Sequence, residues 1–324
     1  MTTKPRISAP DVYYHIMSKG VFEENIFPND KLKQFFLDQL KTSLNLFSYS
    51  CCAWSIQKDH YHLIVKASTV TISRFMQRLN SVYARKYNSE EEGREGVVFY
   101  RRFASVICQD THLKDLIRYV HQNPVRCGEC TIDELDSYKW SGHAAILGNC
   151  RNDFQNCDEL LGAFSQENAF EEYKDFMKVR SPEFGCDVIA NVRIANQSCQ
   201  NSSKLRAWII GDSNFVQDVM EKDAFRRAQI ARHLIANISP GKLHEIVGEH
   251  TNLIFDDLFT QGRVNLRSNA RELFSLAGVT LLDFKGKALA DYLGVTASAV
   301  SRMMSRGRGK KEIIKLIEKI KLQI

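Results

Sequence analysis

Residues 58–68, KDHYHLIVKAS, combine a polar turn dipeptide with two histidines and an apolar run. The β-branched and aromatic residues after the turn are typical of a strand. Because side chains two positions apart on a strand point to the same face, His60 and His62 should present their imidazoles together, with Tyr61 on the opposite face. Paired imidazoles predict a divalent-metal site. The alternative is a pair of hydrogen-bonded surface histidines.

The sequence around this stretch predicts an alternation of strands and helices. The predicted strands are residues 12–18, 49–57, 61–66 and 97–108. The predicted helices begin after Pro28, at residue 69 and at residue 111. Lys58 and Asp59 form a hairpin turn between the second and third strands. The order βαββαβ, followed by a helix, predicts an α+β fold with a ferredoxin-like antiparallel sheet.

A second candidate segment is residues 116–126, LIRYVHQNPVR. Tyr119 and Asn123 are four residues apart and share one helix face. Because Pro124 disfavours the α conformation at the preceding residue, Asn123 should lie at the helix end, where its amide oxygen can reach a ligand. A metal held by the histidine pair and Asn123 would activate a phosphate for attack by the Tyr119 phenol. The alternative is that Tyr119 packs in the core and Asn123 caps the helix.

Four sequence elements, taken in order, carry a resemblance to a known family. They are residues 14–20 (YHIMSKG), 59–65 (DHYHLIV), 119–126 (YVHQNPVR) and 138–141 (YKWS). On these elements the chain resembles the single-tyrosine HUH transposases, in particular the REP-associated tyrosine transposase branch of the IS200-like enzymes. One departure is that Lys58-Asp59 stands where Pro-Asn is common, which changes the turn but neither histidine.

The resemblance implies a transposase that acts on hairpin-bearing single-stranded DNA. Tyr119 is the implied catalytic nucleophile, which forms a 5′-phosphotyrosine link and releases a 3′-hydroxyl. The implied cofactor is Mg²⁺ or Mn²⁺, held by His60, His62 and Asn123. Two alternatives remain open: a non-catalytic DNA-binding regulator on the same fold, and a metal-dependent phosphoesterase that uses water.

Basic and aromatic residues beside the predicted sheet are candidates for strand contacts. Lys19, Arg101 and Arg102 are expected to contact phosphates, which position a strand without reading its sequence. Tyr100 and Phe103 are candidates for base stacking. The alternative for the arginines is an ordinary solvated strand face.

Residues 286–307, GKALADYLGVTASAVSRMMSRG, have the spacing of a helix-turn-helix. Ala290 is small where the helices would cross, Gly294 lies in the turn, and Val300 anchors the second helix. The residues predicted to contact DNA are Ser298, Ser301, Arg302, Arg306 and Arg308. The segment resembles the DnaA-like helix-turn-helix of longer members of the same family, which implies an additional duplex DNA partner. The alternative is an ordinary helical hairpin.

Composition and segment boundaries complete these expectations. The 324 residues carry a net charge of +6, which permits a nucleic-acid partner, and they contain no apolar run of transmembrane length. Three regions are predicted: a catalytic domain at 1–150, a helical extension and linker at 151–203, and a helical DNA-binding region at 204–324. The polar linker is residues 196–203. We expect a monomer or homodimer in the cytoplasm, associated with the nucleoid.

Cysteine usage gives no strong signal. The nine cysteines are irregularly spaced, and the absence of an apolar leader in MTTKPRISAP favours reduced thiols. Cys127 and Cys130 form a CxxC pair, and a structural zinc site with Cys150 and Cys157 is the alternative considered. That alternative is disfavoured because the second pair does not have CxxC spacing. No phosphate-binding glycine motif is present, so no nucleotide cofactor is expected.

Overall fold

The computed structural model describes residues 6–67, 71–90, 95–150, 152–164, 167–179, 208–235, 238–251 and 265–323. The chain divides into two compact units, Met1–Lys222 and Asp223–Ile324. The predicted linker at residues 196–203 lies outside the described residues. Among the described helices, none is long and apolar enough to cross a membrane.

The first unit is mixed α and β and is built on a five-stranded sheet. Its strands are β1 Tyr13–Lys19, β2 Ser50–Ile56, β3 His60–Lys66, β4 Ala104–Cys108 and β5 Ile209–Ile210. The strand order is β2-β3-β1-β4-β5. The central β1 pairs antiparallel with both β3 and β4, whereas β5 runs parallel to β4. The predicted β1 to β3 and the hairpin turn at residues 58 and 59 agree with these strands.

Strand β4 is shorter than predicted because its first half leaves the ladder. Arg101 has φ +59°, a conformation that a regular strand does not contain. Before this residue the segment meets the end of β1 at an isolated bridge between Phe99 and Gly20, with hydrogen bonds from the Tyr100 amide to the Lys19 carbonyl, 2.7 Å, and from the Val21 amide to the Val98 carbonyl, 3.0 Å. The predicted strand at 97–108 therefore splits into an irregular arm and β4.

Strand β5 corrects the expectation that the chain is helical from residue 204 onward. Ile209 and Ile210 pair with the end of β4. The Gln109 amide donates to the Ile210 carbonyl over 2.8 Å, and the Gln109 side chain bonds both the amide and the carboxylate of Asp212, at 2.8 Å each. Two residues are too few to show a strand period, so this pairing depends on a distant partner.

Helices cover both faces of the sheet. The first unit contains α1 Asp30–Phe47, α2 Ile72–Glu90, α3 Leu113–His121, α4 Asn123–Arg126, α5 Gly142–Ile146, α6 Cys157–Leu161 and α7 Ala169–Lys178. Helices α6 and α7 lie within the helical extension and linker predicted at residues 151–203. On one face, the ring of Tyr61 lies 4.5 Å from that of Phe36 in α1, and its hydroxyl donates to Asn80 of α2 over 2.5 Å. Tyr61 therefore occupies the face opposite the histidines, as predicted.

Helix α3 packs on the histidine face and is covered in turn by α7. The Arg118 guanidinium of α3 lies 4.0 Å from the centre of the Phe176 ring. Gln122, which follows α3, donates from Nε2 to the Met177 carbonyl over 2.8 Å. Helix α3 is consequently held between the sheet and α7, and this contact fixes the position of Tyr119.

The described part of the second unit is helical. Helix α8 Ser213–Ile235 crosses the boundary between the units, and α9 Pro240–Thr251, α10 Asn265–Thr280, α11 Gly286–Leu293, α12 Ala297–Arg308 and α13 Lys311–Gln323 follow. Between α11 and α12, Gly294 adopts φ +65° and Thr296 caps α12 by accepting from the Ala299 amide, 3.2 Å. Ala290 and Val300 are buried at the predicted positions.

Candidate active site

His60 opens β3, and its two ring nitrogens face different partners. Nδ1 lies 2.6 Å from a carboxylate oxygen of Asp59, so it carries the proton and donates. Nε2 lies 3.0 Å from Oδ1 of Asn123. When His60 is neutral, its Nε2 and Oδ1 of Asn123 are both hydrogen-bond acceptors. Two acceptors 3.0 Å apart need a proton or a cation between them. The arrangement therefore fits a bound cation.

His62 is buried beside His15 of β1. Its Nδ1 lies 2.9 Å from Nε2 of His15, and the stacked ring centres are 5.1 Å apart. Burial lowers the pKa of His15 to about 4, and burial together with the neighbouring histidines holds the pKa of His62 well below its usual range. His62 is thus a neutral imidazole, the form that binds metals. When its Nδ1–H donates to His15, Nε2 is the nitrogen left for a ligand.

Tyr119 of α3 lies against this histidine pair. Its ring centre is 5.4 Å from that of His62 and 5.6 Å from that of His15, nearly perpendicular to both. The Arg126 guanidinium lies 4.7 Å from the centre of the Tyr119 ring. Tyr119 also belongs to the apolar cluster under α3. The fold therefore brings the predicted nucleophile to the predicted metal ligands, while its ring takes part in core packing.

Asn123 lies just past the end of α3, where the chain changes direction. Gln122 leaves helical geometry with ψ 1°, and Pro124 occupies the first turn of the short helix α4, a position that proline tolerates. One turn later, the Cys127 thiol donates to Oδ1 of Asn123 over 3.4 Å. Burial, Glu129 and Asp59 raise the pKa of Cys127 to about 11. With no metal bound, Cys127 is therefore a neutral thiol.

The donor set of this site fits a divalent metal. His60, His62 and Asn123 supply two imidazole nitrogens and one amide oxygen, while Asp59 and His15 hold the two rings from behind. Within the described ranges, no three His, Cys, Asp or Glu side chains form a metal-binding group. The predicted site therefore depends on an amide oxygen as its third ligand.

Sequence reasoning missed the contacts made by Asp59 and His15. In a regular strand, Asp59 would point away from its neighbour His60, but its place in the hairpin turn lets the carboxylate reach the ring. The bond of His15 to His62 depends on the register that pairs β1 with β3. Neither contact has a signal in the local sequence.

The three predicted strand-contacting residues do not share one surface. Lys19 lies opposite His60 in the register, and its ammonium is 3.5 Å from the Asp59 carboxylate. Arg101 and Arg102 instead line a cavity of about 430 Å³ against α2, the helix that packs on the other face of the sheet. Lys19 therefore adjoins the metal ligands, and the two arginines belong to a separate groove.

The candidate stacking residues also differ in exposure. Tyr100 is half-exposed beneath the Arg101 guanidinium, which lies 4.9 Å from the ring centre. Phe103 is only 8% exposed and is covered by Arg6 at 4.0 Å, so the expectation that it stacks bases is wrong. Phe22, which the sequence did not single out, is 94% exposed in the turn after β1.

A second histidine cluster lies on the opposite side of α3 from the site. Nδ1 of His121 is 2.9 Å from the Tyr173 hydroxyl, which is 2.6 Å from Nδ1 of His143. Nε2 of His143 is 2.9 Å from the Asp136 carboxylate. Since His143 must donate to this carboxylate, Tyr173 donates to His143 and accepts from His121. Burial lowers the pKa of both histidines, although Asp136 opposes the shift at His143.

The predicted DNA-contacting residues of α12 fall into two groups. Ser298 and Arg302 are exposed, and Ser301 is half-buried. Arg306 is held by the buried carboxylate of Glu272, with Nε to Oε1 at 3.1 Å, and burial lowers the pKa of Arg308 to about 10. Ser298 and Arg302 can face a partner directly. Arg306 is also exposed but is paired with Glu272, and Arg308 is half-buried in its own unit.

Comparison with known proteins relates the first part of the chain to a family of known activity. The family model described as "Transposase IS200 like" matches residues 8–123. A solved structure described as "Structure of the REP associates tyrosine transposase bound to a REP hairpin" has 11% sequence identity and a TM-score of 0.37, over 48% of this chain and 94% of that chain. No curated protein matches the sequence. Residues 8–123, which carry His60, His62, Tyr119 and Asn123, are therefore similar to the IS200-like transposases.

Proposed function

We propose that this protein is a transposase that binds hairpin-bearing single-stranded DNA, cuts it and rejoins it through a 5′-phosphotyrosine intermediate. The observation that supports this function is the convergence of Tyr119 on the two-histidine cluster, together with the Asn123 oxygen 3.0 Å from His60. The match of residues 8–123 to the IS200-like transposase model supports the same reaction class.

In the proposed reaction, the phenol oxygen of Tyr119 bonds to a backbone phosphorus as the bond from phosphorus to the 3′ oxygen breaks. The phenol loses its proton and the departing oxygen gains one, which leaves a free 3′-hydroxyl. Attack by another 3′-hydroxyl reverses the step and joins new ends. Because one phosphodiester replaces another, no nucleotide cofactor is required.

The residues around the nucleophile have distinct roles in this proposal. Arg126 and the two histidine rings hold the Tyr119 ring in one orientation. His60, His62 and Asn123 would hold Mg²⁺ or Mn²⁺, which supplies Lewis-acid activation of the scissile phosphate when bound. Lys19, beside Asp59, is placed to contact a neighbouring phosphate.

The proposed function is tested by replacing Tyr119 with phenylalanine. With hairpin-bearing single strands and Mn²⁺, the native protein should form a covalent DNA adduct that survives a denaturing gel. Tyr119→Phe should form none, because only the phenol oxygen is nucleophilic. An adduct of normal yield in the variant would remove Tyr119 from the reaction. Binding without any adduct in the native protein would favour the alternative, a non-catalytic DNA-binding regulator.

We also propose that the sheet forms a ferredoxin-like core and that the chain has three regions. The order β2-β3-β1-β4, with antiparallel pairing of β1 to both neighbours, supports a ferredoxin-like core. Residues 1–150 then form the catalytic domain, followed by the extension to residue 203 and the helical region from 204 to 324. Helices α11 and α12, joined at Gly294, support a DnaA-like helix-turn-helix that binds duplex DNA.

Duplex binding is tested with a matched pair of arginines in α12. Arg302→Ala should weaken duplex DNA binding by about 1–3 kcal/mol at a preferred site if Arg302 contacts a guanine. Arg306→Ala should have a smaller effect, because Arg306 is already paired with Glu272. Binding is measured at several salt concentrations. Native affinity in Arg302→Ala would show that this helix does not read DNA through its exposed arginine.

A further inference from the structure

Three side chains of different chemistry converge beside β3. Nε2 of His60 lies 3.0 Å from Oδ1 of Asn123 and 3.9 Å from Sγ of Cys127, and Oδ1 of Asn123 lies 3.4 Å from the same sulfur. Metal–ligand bonds of about 2.0–2.3 Å place neighbouring donor atoms about 3–4 Å apart. The three atoms therefore have the separations of neighbouring ligands around one metal ion.

The hydrogen-bond partners of these atoms support their assignment as metal ligands. Because Nδ1–H of His60 donates to the Asp59 carboxylate, the lone pair of Nε2 faces Asn123 and Cys127. Oδ1 of Asn123 is an acceptor as well, so His60 and Asn123 both direct electron pairs toward the region where the Cys127 sulfur lies. The sulfur becomes a third donor when its thiol proton is displaced.

We propose that Cys127 is an additional ligand of the His60–Asn123 metal site, which therefore binds a thiophilic divalent ion of the Zn²⁺ type more tightly than Mg²⁺. Coordination forms a sulfur–metal bond and releases the thiol proton to solvent. Thiolate ligands select zinc-like ions, whereas Mg²⁺ prefers oxygen ligands and retains water. The inference deepens the metal site of the proposed function, but it does not depend on DNA cleavage.

Cys130, the other member of the CxxC pair, serves as a matched control. Cys130 is half-buried whereas Cys127 is exposed, and within the described residues the Cys130 sulfur forms no hydrogen bond to His60 or Asn123. A zinc site built on the CxxC pair would need both sulfurs. The proposed site needs only the first.

The test uses the full-length protein and Co²⁺, a spectroscopic substitute for Zn²⁺. Titration of the metal-free protein should produce a thiolate-to-cobalt charge-transfer band in the near ultraviolet. Cys127→Ser and Cys127→Ala should lose the band, and Zn²⁺ affinity measured by competition should fall by about tenfold or more. Cys130→Ser should keep the band, and His60→Ala should weaken it.

Four results would overturn the assignment of Cys127 as a metal ligand. A native protein without the band, a band that persists in both Cys127 variants, or a band unchanged in His60→Ala would overturn it. Loss of the band in Cys130→Ser would also overturn it, since that result assigns the metal to the CxxC pair. Tyr119→Phe should retain the band, so that failure of DNA cleavage and failure of metal binding are separated. Circular dichroism of each variant confirms folding.

Discussion

Two histidine clusters lie on opposite sides of α3, and they use the same side chains in different ways. In the cluster of His15, His60 and His62, the rings are held from behind, and Nε2 of His60 faces another acceptor. In the cluster of His121 and His143, both Nδ1 atoms are bonded to one tyrosine hydroxyl. The first cluster directs the Nε2 lone pair of His60 toward Asn123, whereas in the second cluster both ring nitrogens of His143 are bonded within the protein.

This difference shows why a pair of histidines is not in itself a metal site. Imidazoles bind a metal only when lone pairs remain after their structural hydrogen bonds are made. Asp59 leaves His60 with such a lone pair, while Asp136 and the Tyr173 hydroxyl use both nitrogens of His143. The first cluster is therefore the candidate for chemistry, and the second positions α3.

The largest expected contrast is in metal-dependent cleavage. His60→Ala and His62→Ala should each abolish cleavage at limiting Mn²⁺ while retaining binding to single-stranded DNA, because the metal contributes to the transition state more than to strand affinity. The measurement is the cleavage rate of a hairpin-bearing strand, with binding assayed separately.

His143→Ala is the matched change in the second cluster. The folded variant should cleave at close to the native rate, because His143 contacts Tyr173 and Asp136 and neither is a predicted ligand. Normal cleavage by His60→Ala, or loss of cleavage in folded His143→Ala, would reverse the roles assigned to the two clusters.

The next contrast compares the two tyrosines at these clusters. Tyr173→Phe should lower the free energy of unfolding by about 1–3 kcal/mol, because removal of the hydroxyl leaves buried nitrogens of His121 and His143 without their partner. It should nevertheless form the covalent DNA adduct, which Tyr119→Phe should not. Urea denaturation and the denaturing gel provide the two measurements. Unchanged stability in Tyr173→Phe would contradict the proposed hydrogen-bonded chain.

The smallest contrast concerns the carboxylates that hold His60 and His143. Asp59→Asn should reduce Mn²⁺ affinity by about tenfold, because partners behind metal ligands orient them and raise their basicity. Asp136→Asn should leave that affinity unchanged, since its histidine lies in the other cluster. Calorimetric titration of both variants makes the comparison. Equal affinities for the Asp59 variant and the native protein would show that the carboxylate does not support the site.

Much of the sheet and of the candidate site could be predicted from local sequence. The period of two places His60 and His62 on one face and Tyr61 on the other, and the register confirms this through the contacts of Tyr61 with α1 and α2. The spacing of Tyr119 and Asn123 places both at one end of α3. Strand β5 and the irregular arm before β4 were not predicted, because a two-residue pairing and one residue with positive φ leave no periodic signal.

The sequence by itself determined which residue types stand at which strand and helix positions, since side-chain direction follows from backbone period. Only the tertiary structure decided which nitrogen of each imidazole makes a hydrogen bond within the protein and which is left for a ligand. Pairing of β1 with β3 brings His15 to His62, and packing of α3 on the sheet brings Asn123 and Cys127 to His60. These contacts join residues far apart in the chain, so they depend on how the elements pack and not on the pattern within any one of them.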